Sequence, residues 1–294
     1  MEENVLLEMK NISKTFPGVK ALKNVHFKVH RGEIMAFMGE NGAGKSTLIK
    51  IITGYYRRDP GAGEFYFDGK AVNPRNTDEA QRLGISTIFQ ELNLSPFLSV
   101  AENIYLGNTP KKNGMIDWDT MNKNARAALL ELGVDIDVTA QLSMQSTAIQ
   151  QMVAIARAVS INAKLVIMDE PTSSLDTHEV QVLFRIIRQL KSKGISVIFI
   201  SHKLDEVMYL SDRITVIRDG KNIISKDKDQ FTQEELIANM IGRPLENLYL
   251  KEPAEITDTM LEVKNLTRKG VFQDVSFSVR KGEVVGFFGL VGAG

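Results

Sequence analysis

Cysteine is absent from the 294 residues, which removes disulfides, thiolate zinc sites and cysteine nucleophiles at once. An excess of charge is absent too. Lys plus Arg and Asp plus Glu number 36 each, so an extended nucleic-acid surface, which needs a basic excess to displace condensed counterions, is not expected. No apolar run reaches the roughly 18–20 residues of a membrane-spanning helix. The nearest, VVGFFGLVGAG at 284–294, is short and glycine-rich and reads as a buried strand running into a loop. The opening MEENVLLEMKNISK lacks a basic n-region and an apolar h-region, so no secretion signal is visible. The expectation is a chain without a membrane anchor of its own. Of the four histidines, only His26 and His30 are close in sequence. Their spacing would suit a metal on a helix, but the alternation around them reads as a strand, which holds them too far apart.

What is present begins with hydrophobic residues at 43% of the chain, enough for a packed core. A repeat comes next. LLEMKNIS at 6–13 returns as MLEVKNLT at 260–267, and VHFKVHRGEIMAFMGENGAG at 25–44 returns as VSFSVRKGEVVGFFGLVGAG at 275–294. Order, spacing and loop glycines recur together, with Gly289, Gly292 and Gly294 echoing Gly39, Gly42 and Gly44. The expected organisation is one full domain at 1–243, a linker at 244–259, and the N-terminal fragment of a second copy at 260–294.

Within the first domain, 6–11 and 25–30 alternate like antiparallel strands, and 33–38 is a mostly apolar buried strand. A helix is predicted over 46–53. The apolar runs LVIMD at 165–169 and SVIFIS at 196–201 read as central parallel strands, with a helix of regular apolar spacing at 178–191 between them. The stretch 99–160 is largely helical and reads as a separate lobe. The second loop's strand is expected over 283–288. The class is α/β with a parallel core sheet.

GENGAGKST, from Gly39 through Glu40, Asn41, Gly42, Ala43, Gly44, Lys45 and Ser46 to Thr47, fits G-x-x-x-x-G-K-S/T between a strand and a helix. Glycines let the backbone wrap so that its N–H groups form an anion nest, and the following helix adds its positive end. Lys45 is expected to reach the β- and γ-phosphates of a nucleoside triphosphate, and Ser46 to offer its hydroxyl to Mg²⁺. The glycine order differs from the G-x-G-x-x-G of dinucleotide folds. LVIMDEP puts Asp169 and Glu170 at a strand end, the first suited to hold Mg²⁺ through its water shell, the second to polarise an attacking water. SVIFISHKLDE ends a second strand at His202, which is well placed to sense a γ-phosphate.

The set GENGAGKST, IFQE, LVIMDEPTSSLD and ISHK, in this order, resembles an ABC-type ATPase domain over the whole first domain. The resemblance implies a P-loop NTPase fold with an N-terminal antiparallel β subdomain and a helical lobe, and ATP with Mg²⁺ as ligands. It makes Gln90 the lid glutamine linking the Mg²⁺ site to a membrane partner. Asp176 becomes the residue that touches an opposing domain, and Phe16 the aromatic that stacks on adenine. KTFPGVKAL, FQELNLSPFLSVAENIYLG, DRITVIRDGK and GLVGAG look, more finely, like the ribose, galactose and xylose importers. That likeness implies an ATPase subunit lying peripherally on the cytoplasmic face of the cell membrane. Its partners would be sugar permease subunits, a periplasmic or surface sugar-binding protein, and a second ABC domain or homodimer mate, with no nucleic acid.

One motif departs from the family. The signature loop, usually LSGGQ, falls on QSTAI at 145–149, where only Ser146 matches. Ser146 is expected to cap the following helix and face a γ-phosphate bound by the opposite domain. Thr147 and Ala148 add Cβ atoms where close backbone approach is wanted. Two other readings are a remnant that binds ATP without efficient turnover and a cytosolic two-ABC protein acting on ribosomes. The second would join its domains by a longer basic linker than the mixed-charge 244–259.

Overall fold

The computed structural model describes residues 4–89, 93–243 and 254–289. The chain divides into two compact units, Met1–Leu245 and Glu246–Gly294, and each is described by itself.

The first unit opens with β1 (Val5–Phe16) and β2 (Val19–His30), paired antiparallel. Both run further than the alternation at 6–11 and 25–30 predicts. Asn11 at φ 56° and Asn24 at φ 53° lie where the pairing register shifts. Bulges at such positions reset which residues face inward, so a strict two-residue period misses the outer halves of the strands. After β3 (Ile34–Met38) and α1 (Lys45–Ile52), the short strands β4 (Glu64–Phe67) and β5 (Lys70–Ala71) extend this sheet to the order β2-β1-β4-β5.

Helix α2 (Thr77–Leu83), capped by the Asn76 side chain and stopped at Gly84, leads into β6 (Ile85–Ile88). The lobe that follows is largely helical, as expected, with α3 (Val100–Ile104), α4 (Trp118–Glu131) and α5 (Thr147–Ser160). It also carries a hairpin, β7 (Lys111–Lys112) with β8 (Met115–Ile116), and a 3₁₀ turn at Leu142–Met144. The chain then alternates β9 (Leu165–Asp169), α6 (Thr177–Ser192), β10 (Ser196–Ile200) and α7 (Leu204–Leu210). It closes with β11 (Arg213–Arg218), β12 (Lys221–Asp227) and α8 (Gln233–Ile241).

The main sheet has the order β12-β11-β3-β10-β9-β6, parallel throughout except for the edge strand β12. Its central strands β3 and β10 are buried at every position, and β9 at all but its last, because both faces are covered. On β3, Ile34, Ala36 and Met38 face the core shared with the helical lobe, whereas Met35 and Phe37 face the core shared with α1 and the antiparallel sheet. β10 splits the same way, with Val197 and Phe199 on one side and Ile198 and Ile200 on the other. Each large side chain buried here contributes about 1.5–3 kcal/mol, so the sheet is a rigid base for the loops at its carboxyl edge.

The second unit contains β13 (Thr259–Arg268) and β14 (Phe272–Arg280), paired antiparallel. It repeats the first hairpin down to its irregularities. Asn265 and Asp274 take φ 55° and 56°, as Asn11 and Asn24 do. The backbone N–H of Asp274 donates to Thr267 Oγ1 at 2.9 Å, as that of Asn24 donates to Ser13 Oγ at 3.0 Å. The strand predicted at 283–288 does not form: a strand needs a ladder partner, and among the described residues none pairs with this stretch. Most of the predicted linker, 244–253, lies outside the described residues, as do Gly292 and Gly294.

Candidate functional site

Three adjacent strands, β3, β10 and β9, end at the same edge, with Ile200 level with both Phe37 and Asp169. That edge is where open parallel sheets build their ligand crevices, and the residues just beyond each strand meet there.

Beyond β3 the backbone turns at Gly39, where a Cβ would sit 2.2 Å from the carbonyl oxygen of Ile217. No other residue fits. Gly44, at φ 111°, occupies the N-cap of α1, and no side chain caps this helix. The first intrahelical bond runs from Leu48 N–H to the Gly44 carbonyl at 3.0 Å. The N–H groups of Lys45, Ser46 and Thr47 therefore have no partner within the helix and point out of its positive end. Ala43 N–H is taken internally by the Glu40 carbonyl at 3.1 Å. Ala43 and Gly44 are buried, whereas Glu40, Asn41, Gly42 and Ser46 are exposed. Lys45 Nζ donates to the carbonyls of Gly39 at 2.6 Å and Glu40 at 3.0 Å. Burial pulls the Lys45 pKa down, and Asp169, Glu170 and Glu40 partly oppose that shift. The ammonium thus lies within electrostatic reach of both strand-end acids.

Beyond β9, Asp169 is half-buried and its pKa is raised, first by burial and then by the neighbouring Glu170 charge. Glu170 takes φ 47°, an uncommon conformation for a residue with a Cβ. Its N–H donates to the Ile200 carbonyl at 2.9 Å, which ties the turn after β9 to the end of β10. Glu170 Oε1 then lies 3.1 Å from His202 Nδ1. Glu170 and His202 are thereby brought together from 32 residues apart.

Three further predicted residues lie on other elements of the first unit. Phe16 ends β1 with its ring edge-on to Tyr56 at 5.1 Å and Lys14 Nζ 5.2 Å from its centroid. Ser146 caps α5, its hydroxyl accepting from Ile149 N–H at a long 3.4 Å. Asp176 forms a full capping box on α6 with Glu179, at 2.8 and 3.0 Å. Gln90 lies outside the described residues.

Sequence reasoning passed over Glu206, Thr172, Ser201 and Gln151. Glu206 accepts from the hydroxyls of Thr172 at 2.7 Å and Ser201 at 3.1 Å. The buried Gln151 has an unpartnered Nε2 and lines a cavity of about 230 Å³ with Thr147, Glu170, Ser173 and Ser174. The signal available for Glu206 was its place four residues after His202 on a helix start, which is also where a solvated first-turn acid would stand.

The donor set suits Mg²⁺. Ser46 and Asp169, the residues expected to hold the ion, offer a hydroxyl and a carboxylate, hard oxygens rather than nitrogen or sulfur. Among the described residues no group of three or more His, Cys, Asp or Glu could hold a metal ion by itself.

The ABC transporter family model matches residues 22–173, more than half of the chain. A putative ribose/galactose/methyl galactoside import ATP-binding protein of Agrobacterium fabrum is 48% identical over the whole chain, which spans 58% of that relative's length. Among solved structures, an ATP-binding cassette of an ABC transporter, MJ1267, aligns with TM-score 0.72 at 27% identity, over 81% of this chain and 98% of that one. A dimeric, post-hydrolysis cassette bound to ADP and Pi, MJ0796, aligns with TM-score 0.66 at 27% identity, over 77% of this chain and all of that one. With the loop, the strand-end acids and the sheet order all in place, the chain belongs to the ABC transporter family.

Proposed function

We propose that this chain binds and hydrolyses ATP to power the import of a simple sugar through an ABC permease. The observation that carries the reading is the 3.1 Å approach of Glu170 to His202 beside the Lys45 loop. The free N–H groups at the start of α1 and the Lys45 ammonium receive the β- and γ-phosphates. Ser46 and Asp169, with Gln90 as a further ligand, would hold Mg²⁺, which when bound would supply positive charge against the phosphates. Phe16 stacks on the adenine ring. Glu170 accepts a proton from the attacking water, and His202, held at Glu170, donates to the γ-phosphate oxygens.

Ser146 and Asp176 face an opposing ABC domain, supplied by the same polypeptide or by a second copy. Closure of the two domains on ATP shifts the permease, and hydrolysis reopens them. The sugar class rests on likeness to the ribose/galactose/methyl galactoside import ATP-binding protein of Agrobacterium fabrum. By the same likeness the protein works peripherally at the cytoplasmic face of the cell membrane, with permease subunits and a sugar-binding protein as partners. No helix of the described residues is long and apolar enough to cross a membrane.

ATP turnover measured against chain concentration tests the reading. Turnover that rises with concentration and falls at least about a hundredfold in Glu170→Gln, with ATP still bound, is the expected result. Binding without turnover at any concentration would overturn the hydrolytic role.

A further inference from the structure

We propose that Glu206 is a positioning residue for the Glu170–His202 pair, an inference that rests on reading that pair as the hydrolytic centre. His202 is 62% exposed and Glu170 24%, so packing around the two side chains does not by itself hold them at 3.1 Å. The turns that carry them must be fixed from behind. Thr172, two residues after Glu170, is 2% exposed, and Ser201, one before His202, is 4% exposed. Both hydroxyls donate to the same oxygen, Glu206 Oε2, at 2.7 and 3.1 Å.

The network closes on itself. Lys203 Nζ lies 3.1 Å from Glu206 Oε1 and donates to the Thr172 carbonyl at 3.4 Å. Lys203 N–H donates to Ser201 Oγ at 3.1 Å. One carboxylate on the first turn of α7 therefore clasps the turn after β9 and the turn after β10. Hydrogen bonds to a charged acceptor are the strong kind, and removing that acceptor leaves two buried hydroxyls without it. Lys45 and the loop after β3 take no part in these bonds. Loss of Glu206 should thus loosen the residues that act on water and γ-phosphate and spare those that grip the nucleotide.

The test compares Glu206→Gln, Glu206→Leu and Thr172→Val in the full chain. ATP turnover, ATP affinity and amide hydrogen exchange are measured on each. Glu206→Gln keeps an oxygen for both hydroxyls and should retain turnover within about threefold. Glu206→Leu should lose about tenfold to a hundredfold in turnover, with ATP affinity changed by less than about twofold. Exchange at the Glu170 and Lys203 amides should quicken while that in α1 does not.

A folded Glu206→Leu chain with wild-type turnover and exchange overturns the proposal. So does a parallel fall of turnover and affinity, which marks a merely structural role. If Glu206→Leu does not fold, Thr172→Val decides: turnover reduced at constant affinity supports the role, and unchanged turnover overturns it. If the wild-type chain binds ATP without turnover, the hydrolytic reading falls on its own. Exchange at the Glu170 amide then shows whether Glu206 holds that turn.

Discussion

Lys45 Nζ donates to the carbonyl oxygen of Gly39 at 2.6 Å, so the cation of the loop is anchored to the loop's first residue. The bond joins the two ends of the loop, and a second from the same ammonium to the Glu40 carbonyl at 3.0 Å fixes it there. Its removal should therefore cost ligand affinity more than fold. Lys45→Ala is expected to weaken ATP binding by about tenfold to a hundredfold, the range for a hydrogen-bonded charge. Lys45→Arg should not restore it, because a planar guanidinium cannot occupy the compact position of the ammonium. Titration with a fluorescent ATP analogue, beside thermal melting without nucleotide, separates the two effects. A variant that melts normally yet binds ATP as well as the wild type would remove Lys45 from the site.

Asp169 shows the opposite balance between stability and function. Burial first, and then the Glu170 charge, raise its pKa above the ordinary carboxylate value of 3.8. The nucleotide-free fold is thus relatively more stable with this carboxyl protonated. That contribution is fully present below 3.8 and is lost as pH rises through the raised value. Asp169→Asn is expected to raise the melting temperature of the nucleotide-free chain near pH 7 by about 1–3 °C. The advantage should fade as pH falls and the wild-type carboxyl takes up its proton. Mg²⁺-dependent ATP binding should be lost in the same variant. Melting curves from pH 7 down to pH 4, and ATP titrations with and without Mg²⁺, check both halves.

Much of this site is legible in the sequence because its parts sit at the ends of strands whose interiors are apolar. LVIMD and SVIFIS can be buried on both faces only in a covered parallel sheet, and the polar residues that follow, Glu170 and His202, must then fall on its edge. The loop glycines announce themselves by spacing. What escapes is anything decided by a distant neighbour. Glu206 follows His202 as an ordinary helix-start acid, and Thr172, 34 residues back, joins Ser201 in making it a nearly buried acceptor. The outer halves of β1 and β2 escape because bulges at Asn11 and Asn24 break the alternation that marks a strand. Asp176 is legible as a helix cap from D-x-x-E alone, and the role proposed for it toward an opposing domain rests on family likeness rather than on this geometry.

Asp68 fastens three parts of the first unit together. It sits in the turn between β4 and β5 and pairs with Arg31 after β2 and Lys164 before β9, both at 2.5 Å. Lys164, then Arg31, hold its pKa down to about 2, against an ordinary 3.8. Its contribution to stability is therefore present above 3.8 and is lost as pH falls through about 2. The pairs are partly exposed, so screening limits the effect of Asp68→Asn to about 0.5–1 kcal/mol at neutral pH. Denaturant melts should show the gap between variant and wild type narrowing below pH 4 and shrinking in high salt. ATP affinity should not change, because Asp68 has no bond to the loop after β3.

Ser146 can be asked which of two roles its hydroxyl plays. In the structure it caps α5, at a long 3.4 Å from Ile149 N–H. In the proposed mechanism it also faces the γ-phosphate bound by an opposing domain. Aspartate separates the two. It caps a helix as well as serine does and suits the positive helix end, so Ser146→Asp should melt within about 0.5 kcal/mol of the wild type. The same carboxylate would meet an incoming triphosphate with like charge, at a cost of several kcal/mol where water is excluded. ATP-driven association of two copies, followed by gel filtration in a Glu170→Gln background that keeps ATP intact, should then be abolished. ATP binding to the separate chain should persist. Association that survives Ser146→Asp would leave the serine as a helix cap alone.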